Sequence, residues 1–263
     1  VDLQLSGKRA IVTGGSAGIG KAIVRALVAE GADVAVTSRS AERAKAAIAD
    51  ITGPGRMVPV EVEMRDPDGI TGMVRDVVEQ FGGVDILVNN AAVVSGNEAE
   101  DFFNVSAELV RTSFEEKFLG TLRACQAVVP LMKEQGFGRI VNIAGHKARE
   151  SGAIAAGARN SAVVHLTRTL AVELGRSGIT VNAVLPFTTV TETLETRMAS
   201  VAARKGISTE QHLQNIAART SLGRLVTADE VACFVAFLAS PLSVAMTGEA
   251  VAVTGGVDRT IHV

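Results

Sequence analysis

The run Thr13-Gly14-Gly15-Ser16-Ala17-Gly18-Ile19-Gly20 follows a short apolar stretch, Ala10-Ile11-Val12, and opens directly into the helical pattern Lys21 to Glu30. Gly14 permits a tight strand-to-helix turn, Gly18 lets the main chain approach a pyrophosphate, and Gly20 lets the helix pack on the strand. Ser16, Ala17 and Ile19 complete the loop, and the amides of the first helical turn face the anion. Glycine-rich turns are common, so the signal lies in the placement between strand and helix. The second strand ends at Thr37-Ser38-Arg39. An acid there would grip the ribose hydroxyls of NAD and repel an added phosphate, whereas a guanidinium beside a hydroxyl welcomes a 2'-phosphate. Ser38 and Arg39 therefore favour NADP(H) over NAD(H). The plainer alternative is a solvated arginine at a loop start.

A loop of this kind needs a sheet edge to stand on. Strand-like runs at Arg9 to Val12, Asp33 to Thr37, Met57 to Val62, Ile86 to Asn89, Arg139 to Ile143, Thr180 to Val184 and Ala250 to Val253 alternate with longer helical patterns. Near-continuous apolar strands separated by helices predict an α/β fold: a single doubly wound, Rossmann-like domain with a mostly seven-stranded parallel sheet and helices on both faces. No linker divides residues 1–263. The stretch Glu192 to Thr220 carries few core signals and suits a mobile substrate lid. The helical stretch Ser106 to Gln135 shows an apolar stripe of Phe114, Phe118, Leu122, Cys125 and Val129.

The spacing T-G-x-x-x-G-I-G, with Asn89-Asn90-Ala91 later in the chain, resembles the short-chain dehydrogenase/reductase family from about Gly7 to Ile261. Members pass hydride between a nicotinamide and a hydroxyl or carbonyl. The resemblance implies that Glu63 and Met64 meet the adenine and that Asn90, Ala91 and Ala92 leave room for its ribose. It also sets Pro186, Thr189 and Thr191 against the cofactor, with Phe187 where relatives have glycine beside the nicotinamide. It makes the long helix a dimer interface and the protein a homodimer or homotetramer, although an ordinary core stripe would look the same.

The resemblance also implies a catalytic relay: a tyrosine with a lysine four residues on, a serine after the fifth strand, and an asparagine on the long helix. Anchored on Leu166-Thr167-Arg168 and Asn182, the tyrosine position falls on Ala156 and the lysine position on Asn160. The serine position falls on Ala144 or Gly145, and the asparagine position on Lys117. The chain contains no tyrosine, so no shift of register restores the relay. Lys117 and Asn160 nonetheless amount to an exchange that keeps one amine and one amide in the site. On that reading Asn160 bonds the nicotinamide ribose and Lys117 donates to the substrate oxygen; otherwise Lys117 snorkels from the helix flank and Asn160 is satisfied locally. His146 is a further candidate acid, its plainer reading being a loop histidine in water. Lys147, Arg149 and Arg159 suit an anionic small-molecule substrate, or simply face solvent.

Three classes stay open: an NADP(H)-dependent oxidoreductase with an altered relay, a non-redox enzyme (isomerase, lyase or cyclase) in the same pocket, and a catalytically silent nucleotide-binding protein. Composition narrows the partners. With 26 basic and 28 acidic side chains and no run of like charge, nucleic acid is not expected. No apolar run approaches the roughly 20 residues that span a bilayer, and no signal-peptide layout opens the chain, so no membrane role is expected. Cys125 and Cys233 sit in apolar helical patterns and read as buried free thiols, which suits a cytoplasmic location. No His/Cys/Asp spacing suggests a metal.

Overall fold

The computed structural model describes residues 1–92 and 102–257. Its centre is a seven-stranded, all-parallel sheet of β1 (Arg9–Val12), β2 (Asp33–Ser38), β3 (Met57–Glu61), β4 (Ile86–Asn89), β5 (Gly138–Ile143), β6 (Ile179–Pro186) and β9 (Ala250–Val253). The order is β3-β2-β1-β4-β5-β6-β9. The chain winds outward from β1 to β3, then returns to lay β4 on the other side of β1. That reversal opens a crevice above the carboxyl ends of β1 and β4, where doubly wound sheets bind ligands.

Alternation along each strand explains the two cores. Val12, Val36, Val88, Val141 and Val184 face one side, packed with Ile23 and Leu27 of α1 (Gly18–Ala29) and Val231, Val235 and Leu238 of α9 (Ala228–Ala239). Ile11, Ala35, Leu87, Ile140 and Val181 face the other, against Met73 and Val77 of α3 (Pro67–Phe81), Val128 and Met132 of α5 (Gly120–Gln135), and Leu174 of α6 (Ile154–Leu174). Local signals set the helix ends. Asp66 caps α3 with Pro67 at its first position, and Thr227 and Glu230 form a capping box on α9.

The long helix expected over residues 106–135 is interrupted. Ser106 caps α4 (Ala107–Ser113), a π-helical turn spans Phe114–Leu119, and α5 follows. The inserted turn shifts the helix face. The buried stripe runs through Lys117, Thr121, Ala124, Val128 and Met132, while Phe114, Phe118, Leu122 and Val129 are only half-buried. Cys233 also departs from expectation, being exposed on α9, whereas Cys125 is buried.

Four further elements border the crevice, α2 (Ala41–Ile48), the short strand β7 (Thr189–Val190), α7 (Leu194–Arg204) and α8 (Thr209–Ala217), and β8 (Val226–Thr227) pairs with β7. Between 192 and 220 only Leu194, Ala202, His212 and Thr220 are buried. No described helix is long and apolar enough to cross a membrane.

Candidate active site

The glycine loop is held by hydrogen bonds from both neighbouring strands. Asn90 Nδ2 donates to the carbonyls of Thr13 and Gly14, each at 3.1 Å, and the Gly14 amide donates to Thr37 Oγ1 at 3.3 Å. The Thr13 hydroxyl accepts the amides of Asn90 and Ala91 at 2.9 and 3.0 Å. A Cβ on Gly20 would lie 2.2 Å from the Gly14 carbonyl oxygen, so only glycine lets α1 start this close to the loop. Deeper, Asn89 Nδ2 donates to Asn142 Oδ1 and Asn142 Nδ2 to Thr167 Oγ1, both at 2.9 Å, which braces β4, β5 and α6.

Above the loop lies a cleft of about 430 Å³. Gly14, Ser16, Ala17, Gly18, Ile19, Gly20, Ser38, Arg39, Glu63, Met64, Asn90, Ala91, Ala92 and Thr191 all line it. Sequence reasoning missed Arg43 there, on the first turn of α2 after the Ser40 cap, and Arg197 of α7. Arg39 and Arg43 are both exposed at the mouth. Burial pushes the Glu63 carboxyl up, but Arg65 and then Arg39 pull it down further, leaving it below its ordinary value. Ala17, at the N-cap of α1, has no side-chain oxygen to cap the helix. Thr191 Oγ1 is buried without a hydrogen-bond partner. A helix start with no cap from its own N-cap residue, two guanidiniums and an orphaned hydroxyl around an elongated cleft fit a dinucleotide with an anionic bridge.

A second cavity of about 460 Å³ continues from the first, sharing Ile19, Asn90, Ala92, Thr191 and Arg197 with it. Lys117, Asn160, His146, Ala144, Gly145, Ala156, Pro186 and Thr189 line it. The residues singled out on three separate elements are thus brought together. Lys117 is buried at 8% exposure and its ammonium donates to the Ala144 carbonyl, so it does not snorkel to water. Asn160 is buried at 4%, and its Oδ1 has no partner. It packs on Gly145, where a Cβ would fall 2.9 Å from Asn160 Nδ2.

His146 also corrects its plainer reading. It is buried in a short 3₁₀ turn, His146–Arg149, its ring 5.8 Å from that of Phe187 in an edge contact. The basic trio divides. Arg159 lines the cavity, buried, and donates to Ser113 Oγ at 2.7 Å; Lys147 also lines it but pairs with Glu150 at 3.0 Å; Arg149 donates to the Ala250 carbonyl and lines neither cavity. From α7 and α8 come Met198, Val201, His212 and Ile216. Burial, then nearby Lys205, lowers the pKa of His212. No group of three or more potential metal ligands occurs among the described residues.

The doubly wound sheet, its glycine loop at the strand reversal and the adjoining cavity define a nucleotide-binding α/β protein of the dehydrogenase type. The family model described as enoyl-(acyl carrier protein) reductase matches residues 14–258. The short-chain reductase protein NovJ of Streptomyces niveus is 34% identical over 249 residues, covering 94% of this chain and 92% of that protein. The chain belongs to the short-chain dehydrogenase/reductase family. The crystal structure of L-sorbose reductase from Gluconobacter frateurii, complexed with NADPH and L-sorbose, superposes with a TM-score of 0.92 at 28% identity, covering 99% of this chain and all of that one. A 7α-hydroxysteroid dehydrogenase complexed with NADH and 7-oxo glycochenodeoxycholic acid gives 0.87 at 27% identity, covering 99% and 98%.

Proposed function

We propose that the protein is an NADP(H)-dependent oxidoreductase acting on a carbonyl or alcohol through a proton donor other than tyrosine. The observation that carries this reading is the buried Lys117 ammonium on the wall of the second cavity, which Asn160 also lines. Residues of the first cleft would hold the dinucleotide: Gly18 and its neighbours the bridge, Arg39 and Arg43 the 2'-phosphate, Thr191 the nicotinamide half. The nicotinamide, when bound, supplies or accepts the hydride. Everything else falls to the chain. Asn160 Oδ1, an acceptor without a donor, takes a hydroxyl of the adjoining ribose. Lys117 holds the proton that the reduced oxygen needs; Ala144 fixes its direction. Ile143, Ala156 and Phe187 line the cavity with apolar surface, and α7 and α8, as the substrate lid, exclude water.

Relatives differ in cofactor, since L-sorbose reductase is complexed with NADPH and the hydroxysteroid dehydrogenase with NADH. The preference here rests on Arg39 and Arg43. The test is NADPH consumption with a panel of ketones, hydroxyketones and oxo acids, beside direct NADPH binding. Carbonyl-dependent consumption supports the assignment. The complete absence of tyrosine favours one alternative, a non-redox or purely binding member of the family. Firm NADPH binding without turnover of any carbonyl or alcohol would establish that alternative.

A further inference from the structure

The first amide of α1, that of Gly18, donates to the carboxylate of Glu192 at 2.8 Å. Glu192 lies 174 residues away, between Thr191 and Thr193, which both line the dinucleotide cleft. Thr191 passes directly over the loop, its Cγ2 3.5 Å from where a Gly18 Cβ would be. Five residues after Glu192, Arg197 borders both cavities, and its Nε is buried without a hydrogen-bond partner. No described carboxylate pairs with its guanidinium. A carboxylate thus holds a helix-start amide of the kind that receives an anionic bridge, while a cation bordering the same cleft lacks an anion.

We propose that Glu192 and Arg197 form a charge-exchange latch for the cofactor's diphosphate, an inference that rests on the dinucleotide reading. Glu192 is the internal acceptor that the diphosphate displaces; Arg197 is the ligand that gains a partner when it does. Two anions cannot share one amide donor, and repulsion between them adds to the competition. The two residues flank the start of α7, whose Met198 and Val201 line the substrate cavity. Exchanging one contact for the other therefore reseats α7 over the substrate and couples lid position to cofactor occupancy.

The test compares two probes by calorimetry on the whole protein: NADPH, and adenosine 2'-monophosphate, which carries the adenine, ribose and 2'-phosphate but neither phosphate of the bridge. Arg197→Met should weaken NADPH about tenfold or more, and Glu192→Ala should tighten it about three- to tenfold. Both should leave the monophosphate within about twofold of wild type, which also shows that each variant is folded. Unchanged NADPH affinity in Arg197→Met, weaker NADPH binding in Glu192→Ala, or equal shifts for both probes would overturn the latch while leaving the dinucleotide assignment standing. Failure of the wild-type protein to bind either probe would overturn both.

Discussion

Lys117 donates a hydrogen bond from the middle of a π-helical turn to the main-chain carbonyl of Ala144, at the end of the strand 27 residues on. The wider turn brings an ammonium into the cavity, and the carbonyl fixes its aim. Such turns recur at functional sites because one extra residue redirects a side chain without ending the helix. Lys117→Met should therefore lower turnover by about two to four orders of magnitude, with NADPH affinity within about threefold of wild type. Steady-state rates beside a binding isotherm check this. Unchanged turnover would remove Lys117 as donor and bring His146, which lines the same cavity, to the front.

Arg39 and Arg43 stand exposed at the mouth of the first cleft, where charged hydrogen bonds to a 2'-phosphate are partly screened. Replacing both with alanine should weaken NADPH about ten- to a hundredfold and leave NADH nearly unchanged, since each charged bond contributes roughly 1.5–3 kcal/mol at most. The ratio of the two dissociation constants is the measurement. A ratio that does not move refutes the assignment of the arginines.

Gly20 is set first of all against backbone, which cannot turn aside. Its Cβ would meet the Gly14 carbonyl oxygen at 2.2 Å and Asn90 Nδ2 at 2.5 Å. Gly20→Ala should destabilise the fold by about 1–3 kcal/mol, the usual scale for overpacking, and distort the cleft. Thermal unfolding and NADPH binding report the two effects separately. A variant with wild-type melting temperature and affinity would contradict the packing described.

The cysteines should separate in a labelling experiment. Burial pushes the Cys125 thiol up to about 12, the hydrogen bond from Asn89 opposing only part of that rise. It should resist iodoacetamide at pH 8 until the protein unfolds, whereas exposed Cys233 should react in the native state. Peptide mass mapping before and after denaturant distinguishes them. Early modification of Cys125 would show that its helix opens locally; a native Cys233 that stays unmodified would show α9 covered by another chain.

Periodicity and glycine placement determined most of the fold. β1, β4 and β9 begin and end where their apolar runs do, and the other sheet strands differ by two residues or fewer at each end. That success is physical: a strand buried on both faces must be largely apolar, and a loop touching phosphate must be glycine-rich, so both constraints are written locally. Ser38, Arg39 and the glycine-loop residues line the first cleft for the same reason. What lies across the crevice was legible only as candidates. Whether Lys117 snorkels or is buried depends on a π-helical turn that no local pattern announces, and whether His146 meets water depends on Phe187, 41 residues later, packing against it. Arg43, Arg197 and Glu192 carried no sequence signal at all, because α2 and α7 acquire a cleft-facing side only when the sheet sets them beside the glycine loop. Sequence determines which residues must be buried or must be small. Only the tertiary structure decides which polar groups, distant along the chain, come to share one cavity.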